Sequence, residues 1–357
     1  MIHVFLGTKA QYIKTAPLLR LLDARDVPYR LIDSGQHAAL SVGLREELGV
    51  REPDHVLAEG ADITRIGQAV IWAAKLLVKL IGGRRLRREV FGGQGGVCVV
   101  HGDTPSTLLS TLMARRAGLK VAHLEAGLRS GHLLHPFPEE LIRIVVMRLA
   151  ALLFAPDDTS MSNLRRMRVR GEVVRLPGNT VVEALHHELA AADAPATGPV
   201  IVTMHRVENL NRRERVEQLV AIVERIAAEQ PVRFVQHGPT TDVLARRGHD
   251  RRLRAAGVEL VGLAPHGQFV AMLRAAPLVI TDGGSIQEEC ALLGVPTLLW
   301  RGATERLDGV GDNVVVSGYD AEVVRRFLAD PDAYRRSPGD TALMPSEVVL
   351  EHLLPFR

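Results

Sequence analysis

The chain has 357 residues, of which 46% are hydrophobic and 24% charged, and its formal net charge is +3 at pH 7. This length and apolar content indicate a globular, soluble protein with two hydrophobic cores. Aromatic residues make up only 4% of the chain, too few for a single-strand nucleic-acid binder, and no apolar run is long enough to span a bilayer.

The first half of the chain predicts strands that alternate with helices. A strand at residues 2–6 follows Met1 directly, which leaves no room for a secretory signal and predicts a cytoplasmic protein. Further on, apolar runs at 97–100 and 121–124 flank an amphipathic segment at 107–117. This is the pattern of a βαβ unit in a parallel sheet covered on both faces.

Three carboxylates stand at the ends of these predicted elements. Asp103 and Glu125 follow the two strands, and Glu139 opens the next helical segment after Pro138. In open parallel sheets, the loops beyond the carboxyl ends of the strands line the ligand crevice, so Asp103 and Glu125 should face it. Glu139 either faces the crevice as well or only favours the helix start through the helix dipole.

The second half repeats the alternation after a break. The sequence Leu176-Pro177-Gly178-Asn179-Thr180 interrupts regular structure, and the stretch from there to 198 is the predicted hinge. The pattern therefore predicts an α/β protein with two doubly wound, Rossmann-like domains facing a cleft, at 1–175 and 176–345. Predicted strands lie at 200–203, 233–236, 258–261, 278–281, 297–300 and 314–316, and predicted helices at 181–192, 320–329 and 346–354.

A glycine-containing turn leads from the strand at 278–281 into a helix. Gly283, Gly284 and Ser285 let the backbone approach a ligand closely, and a helix N-terminus attracts a pyrophosphate. Glu289 lies one turn beyond Ser285, where its carboxylate can accept hydrogen bonds from ribose hydroxyls. An ordinary capped helix explains the turn equally well.

Other polar residues carry weaker signals. The turn after the first strand contains Lys9 and Lys14 but has neither a P-loop nor a dinucleotide-binding spacing, and the pattern alone favours a solvated Lys14. His205 follows the strand at 200–203, where it serves either as an acid, base or charge stabiliser or as an ordinary loop histidine. His132 and His135 have no third ligand at a suitable spacing, so no metal site is predicted.

Taken together, these segments resemble the UDP-N-acetylglucosamine 2-epimerases, particularly their non-hydrolysing branch. The resemblance runs almost end to end. The residues that carry it are Gly7-Thr8 with Lys14, Ser34-Gly35-Gln36-His37, His101-Gly102-Asp103-Thr104, His123-Leu124-Glu125-Ala126-Gly127-Leu128-Arg129, Pro138-Glu139-Glu140 with Arg143, Gly178-Asn179-Thr180, His205-Arg206 with Glu208-Asn209, the segment 282–289, and Thr304-Glu305-Arg306.

The resemblance implies a glycosyltransferase-B architecture, with the nucleotide held mainly by the second domain and the C-terminal helix, about 346–357, packed on the first. It implies epimerisation at carbon 2 of a UDP-sugar, by elimination and re-addition of UDP through a 2-acetamidoglucal. It further implies that no cofactor is needed, and it predicts a homodimer. The catalytic residues it implies are Asp103, Glu125, Glu139 and His205. The residues it implies for substrate and UDP binding are Lys9, Lys14, Arg143, Phe269, Gly283, Gly284, Ser285, Glu289 and Arg306.

The chain departs from the family pattern at several positions. Lys9 stands where the family usually has Arg. A lysine keeps the positive charge but cannot make the bidentate contact of a guanidinium with the diphosphate. Gly283-Gly284-Ser285 permutes the family's Ser-Gly-Gly. Many bacterial members bind a second substrate molecule as an activator, and the residues that echo that site are Gln36, His37, Arg206 and His237. Because Ala39 replaces its second glutamine and the segment 57–60 lacks its arginine, substrate activation is predicted to be weak or absent.

Alternative functions stay open at the level of the sequence. A hydrolysing epimerase would release N-acetylmannosamine and UDP, and a glycosyltransferase of the same architecture would need an acceptor. A non-catalytic UDP-sugar-binding protein is disfavoured because the three acids and His205 are all present. The pathway is equally open between cell-envelope supply and a specialised amino-sugar or antibiotic pathway.

Overall fold

The computed structural model describes residues 1–35, 38–57, 82–131, 138–189, 197–339 and 342–357. The chain divides into two compact units, the first formed by Met1–Ala184 with Ala342–Arg357 and the second by Leu185–Thr341. The division therefore falls later in the chain than the boundary predicted after residue 175.

Within the described residues, the first unit is built on a seven-stranded parallel sheet of order β3-β2-β1-β4-β5-β6-β7. Its strands are β1 (Ile2–Leu6), β2 (Tyr29–Asp33), β3 (His55–Val56), β4 (Val97–His101), β5 (Lys120–Leu124), β6 (Leu152–Ala155) and β7 (Glu172–Arg175). Its helices are α1 (Lys9–Ala24), α2 (Ala38–Leu48), α3 (Gly83–Glu89), α4 (Pro105–Arg116), α5 (Glu139–Leu149), α6 (Asp158–Met167) and α7 (Val181–Leu189), which crosses into the second unit.

The described part of the second unit has a six-stranded parallel sheet of order β10-β9-β8-β11-β12-β13. Its strands are β8 (Val200–Thr203), β9 (Val232–Val235), β10 (Glu259–Val261), β11 (Val279–Thr281), β12 (Thr297–Leu299) and β13 (Val314–Val316). Its helices are α8 (Val207–Leu210), α9 (Arg213–Ala227), α10 (Gly238–Arg246), α11 (His249–Ala255), α12 (His266–Ala275), α13 (Gly284–Leu293) and α14 (Ala321–Ala329), with a 3-10 turn at Pro331–Tyr334. The chain ends with α15 (Pro345–Leu353) and a 3-10 turn at Leu354–Phe356.

Helices cover both faces of the first sheet. Every residue of β1 and β4 is buried, as expected of strands in a parallel sheet packed on both sides. One apolar core joins α1 and α15 to one face of the sheet, where Leu18, Leu350 and Leu353 are buried. A second core lies under α4 and α5 on the opposite face, around Met113 and Val146. These two layers fix the sheet, and Asp103 and Glu125 follow the carboxyl ends of its strands β4 and β5.

Buried thiols occupy regular elements of both units. Cys98 lies within β4 and Cys290 within α13, and neither forms a disulfide. Burial raises the pKa of both thiols, that of Cys290 to about 12, so both stay protonated at neutral pH.

Among the helices of the described residues, none is long and apolar enough to cross a membrane.

Candidate functional site

Each sheet has one point where the strand order changes direction. In the first unit this point lies between β1 and β4, and in the second between β8 and β11. The chain leaves the two central strands on opposite sides of the sheet, which opens a crevice at their carboxyl ends. Asp103 follows β4 and His205 follows β8, so each stands at such a point in its own unit.

Gln11 ties the loops of the first crevice together. Its amide Nε2 donates to the carbonyl of His101 at 2.7 Å and to Thr107 Oγ1 at 2.9 Å, while its Oε1 accepts from Gly7 N–H at 2.8 Å. A Cβ on Gly7 would lie 2.6 Å from Ser106 Oγ, so this turn has room only for glycine. The loops after β1 and β4 therefore form one anchored surface.

Glu125 is a carboxylate of the first unit whose backbone and side chain are both constrained. It follows β5 directly with φ of 61°, in the left-handed region that a non-glycine residue rarely adopts. Its Oε1 accepts hydrogen bonds from Lys14 Nζ and, at 2.8 Å, from Asn179 Nδ2. Its Oε2 lies 3.9 Å from His101 Nδ1. Such a backbone conformation is kept only where the surroundings hold it, and it turns the carboxylate toward these partners.

Lys14 is buried, with 3% of its surface exposed, so the solvated lysine favoured by the pattern alone is wrong. The ammonium lies on the inward side of α1 and is paired with Glu125. A buried charge is tolerated when it is paired, and Glu125 supplies that partner from a distant part of the chain.

Asp103 belongs to a chain of alternating charges. Arg143 donates to Asp103 through Nη2, and its Nη1 donates to Glu140 Oε2 at 3.3 Å. Glu140, which is fully buried, also accepts hydrogen bonds from Arg129 Nε and from the backbone of Ser130. Hence Glu140 holds the surrounding loop in place, and Arg143 links it to Asp103.

The charges of Asp103 and Glu125 act on His123, but among the described residues the imidazole forms no hydrogen bond to either carboxylate. Its Nε2 donates to the carbonyl of Gly102 at 2.8 Å, which places the ring proton on that nitrogen. Burial lowers the pKa of His123, although the charges of Asp103 and Glu125 oppose that shift. The ring is therefore neutral at neutral pH.

The remaining predicted residues of the first unit lie at helix starts or outside the described ranges. Lys9 is the first residue of α1 and Glu139 the first residue of α5, and both are half-buried. Pro138 occupies the cap position before α5 rather than its first turn. Gln36 and His37 lie outside the described residues.

Asp282 organises the loops of the second crevice. This fully buried residue accepts hydrogen bonds from the backbone N–H of His205 and Arg206 and from Asn209 Nδ2, each at 3.0 Å. Its Oδ1 also lies 3.3 Å from Nδ1 of His205. The His205 ring stacks on His237 with 4.6 Å between centroids. Asp282 thus fixes the position of the imidazole predicted to take part in catalysis.

The N-terminus of α13 lies between two nitrogen-bearing side chains. Gly283 precedes the helix, and a Cβ there would lie 2.9 Å from His205 Cε1. A Cβ on Gly284 would lie 3.1 Å from Arg306 Nε. The backbone N–H groups in the first turn of α13, the positive end of the helix dipole and the guanidinium together favour an anion such as a phosphate.

Three consecutive residues of α13 anchor the surroundings of this terminus. Gln287 Nε2 donates to the carbonyls of Arg306 at 3.0 Å and Asp308 at 3.1 Å, and Glu288 accepts from Arg306. Glu289 is bonded to His266, with 3.0 Å between Oε1 and Nε2. Ser285 lies in the first turn of α13 and Phe269 within α12, and both are half-buried.

Arg206 and His237, predicted as remnants of an activator site, both lie near His205 in the second unit. Arg206 precedes α8, and its Nε is 3.7 Å from Glu208 Oε1. His237 precedes α10 and stacks on His205. A second role for these two residues stays a prediction.

Sequence reasoning assigned no role to several residues that hold the site. These are Asn179, Asp282, Glu288 and His266, and the first three stand inside segments that carried the family resemblance. Asn179 directly follows a Pro-Gly pair and Asp282 directly precedes a Gly-Gly pair, and these turns were a signal for their regions. No local pattern, however, indicates which distant atom each one contacts.

Comparisons with known proteins identify the family of this chain. Residues 20–336 match the family model described as UDP-N-acetylglucosamine 2-epimerase. The chain belongs to the UDP-N-acetylglucosamine 2-epimerase family. A UDP-N-acetylglucosamine 2-epimerase of Escherichia coli strain K12 is 32% identical, over 92% of this chain and 90% of the relative. The corresponding enzyme of Methanocaldococcus jannaschii is 27% identical, over 91% of this chain and 90% of the relative.

The similarity to the M. jannaschii enzyme extends to its fold. The crystal structure of the M. jannaschii UDP-GlcNAc 2-epimerase, in complex with UDP-GlcNAc and UDP, covers 99% of each chain with a TM-score of 0.84 and 24% identity. The predicted family, the α/β fold of glycosyltransferase-B type and the assignment to the epimerases, a class of isomerase, are therefore confirmed.

Proposed function

We propose that this epimerase converts UDP-N-acetylglucosamine to UDP-N-acetylmannosamine without net hydrolysis. The observation that carries the proposal is the placement of Glu125, a buried carboxylate in a rare backbone conformation, bonded to Lys14 and Asn179 at a sheet edge that also bears Asp103. An acid–base group needs a fixed position and a nearby charge that controls its protonation.

In the first step, a carboxylate of the first unit removes the proton from carbon 2 of the sugar. The bond between carbon 1 and the UDP oxygen breaks, its electron pair leaves with UDP, and a double bond forms between carbons 1 and 2. Protonation of carbon 2 from the opposite face and re-addition of UDP to carbon 1 then give the epimer. Asp103, Glu125 and Glu139 are the proposed acid–base groups, and no redox cofactor takes part.

The second unit is proposed to hold UDP. The N-terminus of α13, with Gly283, Gly284 and Arg306, supports an assignment to the diphosphate. His205, held by Asp282, would stabilise the charge on the departing diphosphate. Glu289 is assigned to the ribose hydroxyls and Phe269 to the nucleoside.

An incubation in deuterated water tests the proposal. The purified protein is given UDP-N-acetylglucosamine without added cofactor, and carbon 2 and free UDP are followed by NMR. Deuterium at carbon 2 of UDP-N-acetylmannosamine is expected. Free N-acetylmannosamine with stoichiometric UDP would instead indicate the hydrolysing reaction, and no exchange at all would contradict the proposed substrate.

Two further expectations accompany the proposal. Weak or absent substrate activation predicts hyperbolic kinetics without a lag, and sigmoidal initial rates would contradict it.

A homodimer is expected from the family resemblance, and analytical ultracentrifugation measures it directly.

A further inference from the structure

His266 has no role in the proposed function, and it forms a buried pair with Glu289. The imidazole Nε2 lies 3.0 Å from Glu289 Oε1, and both side chains are 5% exposed. A carboxylate oxygen only accepts hydrogen bonds, so His266 donates from Nε2. Within the described part of the chain, Glu289 Oε2 takes no hydrogen bond from a protein group. One oxygen is therefore fixed by the histidine, while the other can accept from a ligand.

The positions of the two residues relate this pair to the nucleotide site. Glu289 lies four residues after Ser285, so the two share one side of α13, about 6 Å apart along the axis. His266 is the first residue of α12, and Phe269 follows on the same side of that helix, one turn later. The pair thus stands about one helical turn from the proposed diphosphate site, the spacing at which a nucleoside diphosphate carries its ribose.

We infer that His266 is a positioning residue that aims Glu289 at the ribose hydroxyls and thereby sets a preference for ribonucleotides over deoxynucleotides. The inference rests on the proposed assignment of UDP to the second unit. Without the histidine, the Glu289 carboxylate would lose a charge-assisted bond and its fixed orientation. A site built to bond a hydroxyl discriminates against ligands that lack it only while its own acceptor is held in place.

The experiment compares the affinities of UDP and 2′,3′-dideoxy-UDP by calorimetry. The wild-type protein is expected to bind UDP roughly tenfold more tightly, because a bond to a charged acceptor is worth about one order of magnitude in affinity. In His266→Phe, this ratio should fall to about twofold, with binding of the dideoxy nucleotide unchanged. His266→Asn, whose amide is too short to reach Oε1, should lose the preference similarly. His266→Gln should retain it, since its longer amide still carries a donor.

His249 offers a matched control. It is also the first residue of a helix in the second unit and is equally buried at 4% exposed, but its Nε2 lies 3.6 Å from Glu217 Oε2, whose side chain is 46% exposed. His249→Phe should keep the preference for UDP. A loss of the same size in His249→Phe would show a general structural effect and would overturn the inference.

The remaining outcomes separate the inference from the function it rests on. A preference that is lost in Glu289→Gln but kept in both His266→Phe and His266→Asn overturns the role of His266 alone. A wild-type protein that binds both nucleotides equally overturns the ribose assignment of Glu289 and the inference with it. A wild-type protein that does not bind UDP contradicts the proposed function itself.

Discussion

The two units place acidic residues at corresponding edges of parallel sheets and use them differently. In the first unit, Glu125 is paired with Lys14 and Asp103 with Arg143, so the carboxylates stay at the edge as paired charges. In the second unit, Asp282 accepts hydrogen bonds from backbone N–H groups and an amide, and the dipole at the N-terminus of α13 gives the edge a positive field.

The difference shows how one architecture can carry two kinds of chemistry. Carboxylates held by cations suit proton transfer, because a neighbouring positive charge stabilises the ionised form. Carboxylates that hold the loops around a helix terminus leave its N–H groups available for an anion. Glu288, which pairs with Arg306, belongs to this second use, since it fixes a guanidinium beside Gly284.

The largest expected effect follows from removing the charge of Glu125. Glu125→Gln keeps the side-chain shape but cannot accept the proton, so kcat should fall about a thousandfold while UDP still binds. Steady-state kinetics and calorimetry measure the two quantities. Glu172→Gln, an exposed position at the start of β7 in the same sheet, is the control and should be unchanged. Unaltered turnover in Glu125→Gln would remove this residue from the proposed acid–base groups.

A crowded turn in the second unit gives the next effect. In Gly283→Ala, the new Cβ would lie 2.9 Å from His205 Cε1 and force the imidazole to shift. A displacement of this kind is expected to lower kcat/KM roughly tenfold to a hundredfold. Gly262→Ala is the control, since a Cβ there meets no atom within 4 Å. Equal rates for the two variants would argue against a role for the position of His205.

The interior of the first unit predicts a dependence of stability on pH. Burial lowers the pKa of His3 from 6.5 to about 4. The unfolded chain therefore takes up this proton first, and stability is lost as pH falls from about 6.5 to about 4. At pH 5, the loss should be about 2 kcal/mol relative to pH 8. His3→Leu should lack this component in urea denaturation, and a constant difference from wild type between pH 8 and pH 4 would contradict the prediction.

The smallest effect concerns the attachment of the C-terminal helix. Glu183, in α7, accepts hydrogen bonds from the backbone of Ser346 at 2.7 Å and from its hydroxyl. Glu183→Ala should lower the free energy of unfolding by about 1.5 kcal/mol, since buried donors lose their partner. Glu347→Ala, which removes only an exposed ion pair with Arg25, should change it by less than about 0.5 kcal/mol. Chemical denaturation of both variants gives the comparison.

Much of the architecture was predictable because its signals are local. Continuous apolar runs marked β4, β5, β8 and β11, and the residues that follow them marked where chemistry collects. The predicted strand at 258–261 corresponds to Glu259–Val261, a shift of one residue at its start. The turn at Gly283 and Gly284 was likewise readable, since glycine pairs between a strand and a helix are visible in any short window of the sequence.

The sequence by itself determined where the loops that carry polar residues stand along the chain, the family, and the residue types available in each loop. The tertiary structure alone decided which of these residues meet. Lys14 and Glu125 are 111 positions apart, and Asn179 reaches Glu125 across 54 positions. A lysine in an amphipathic helix is solvated in most settings, and only the packing of α1 beneath the strand ends buries this one beside a carboxylate. Periodicity reports which face of an element is apolar, whereas ion pairs depend on the distance between elements that the fold brings together.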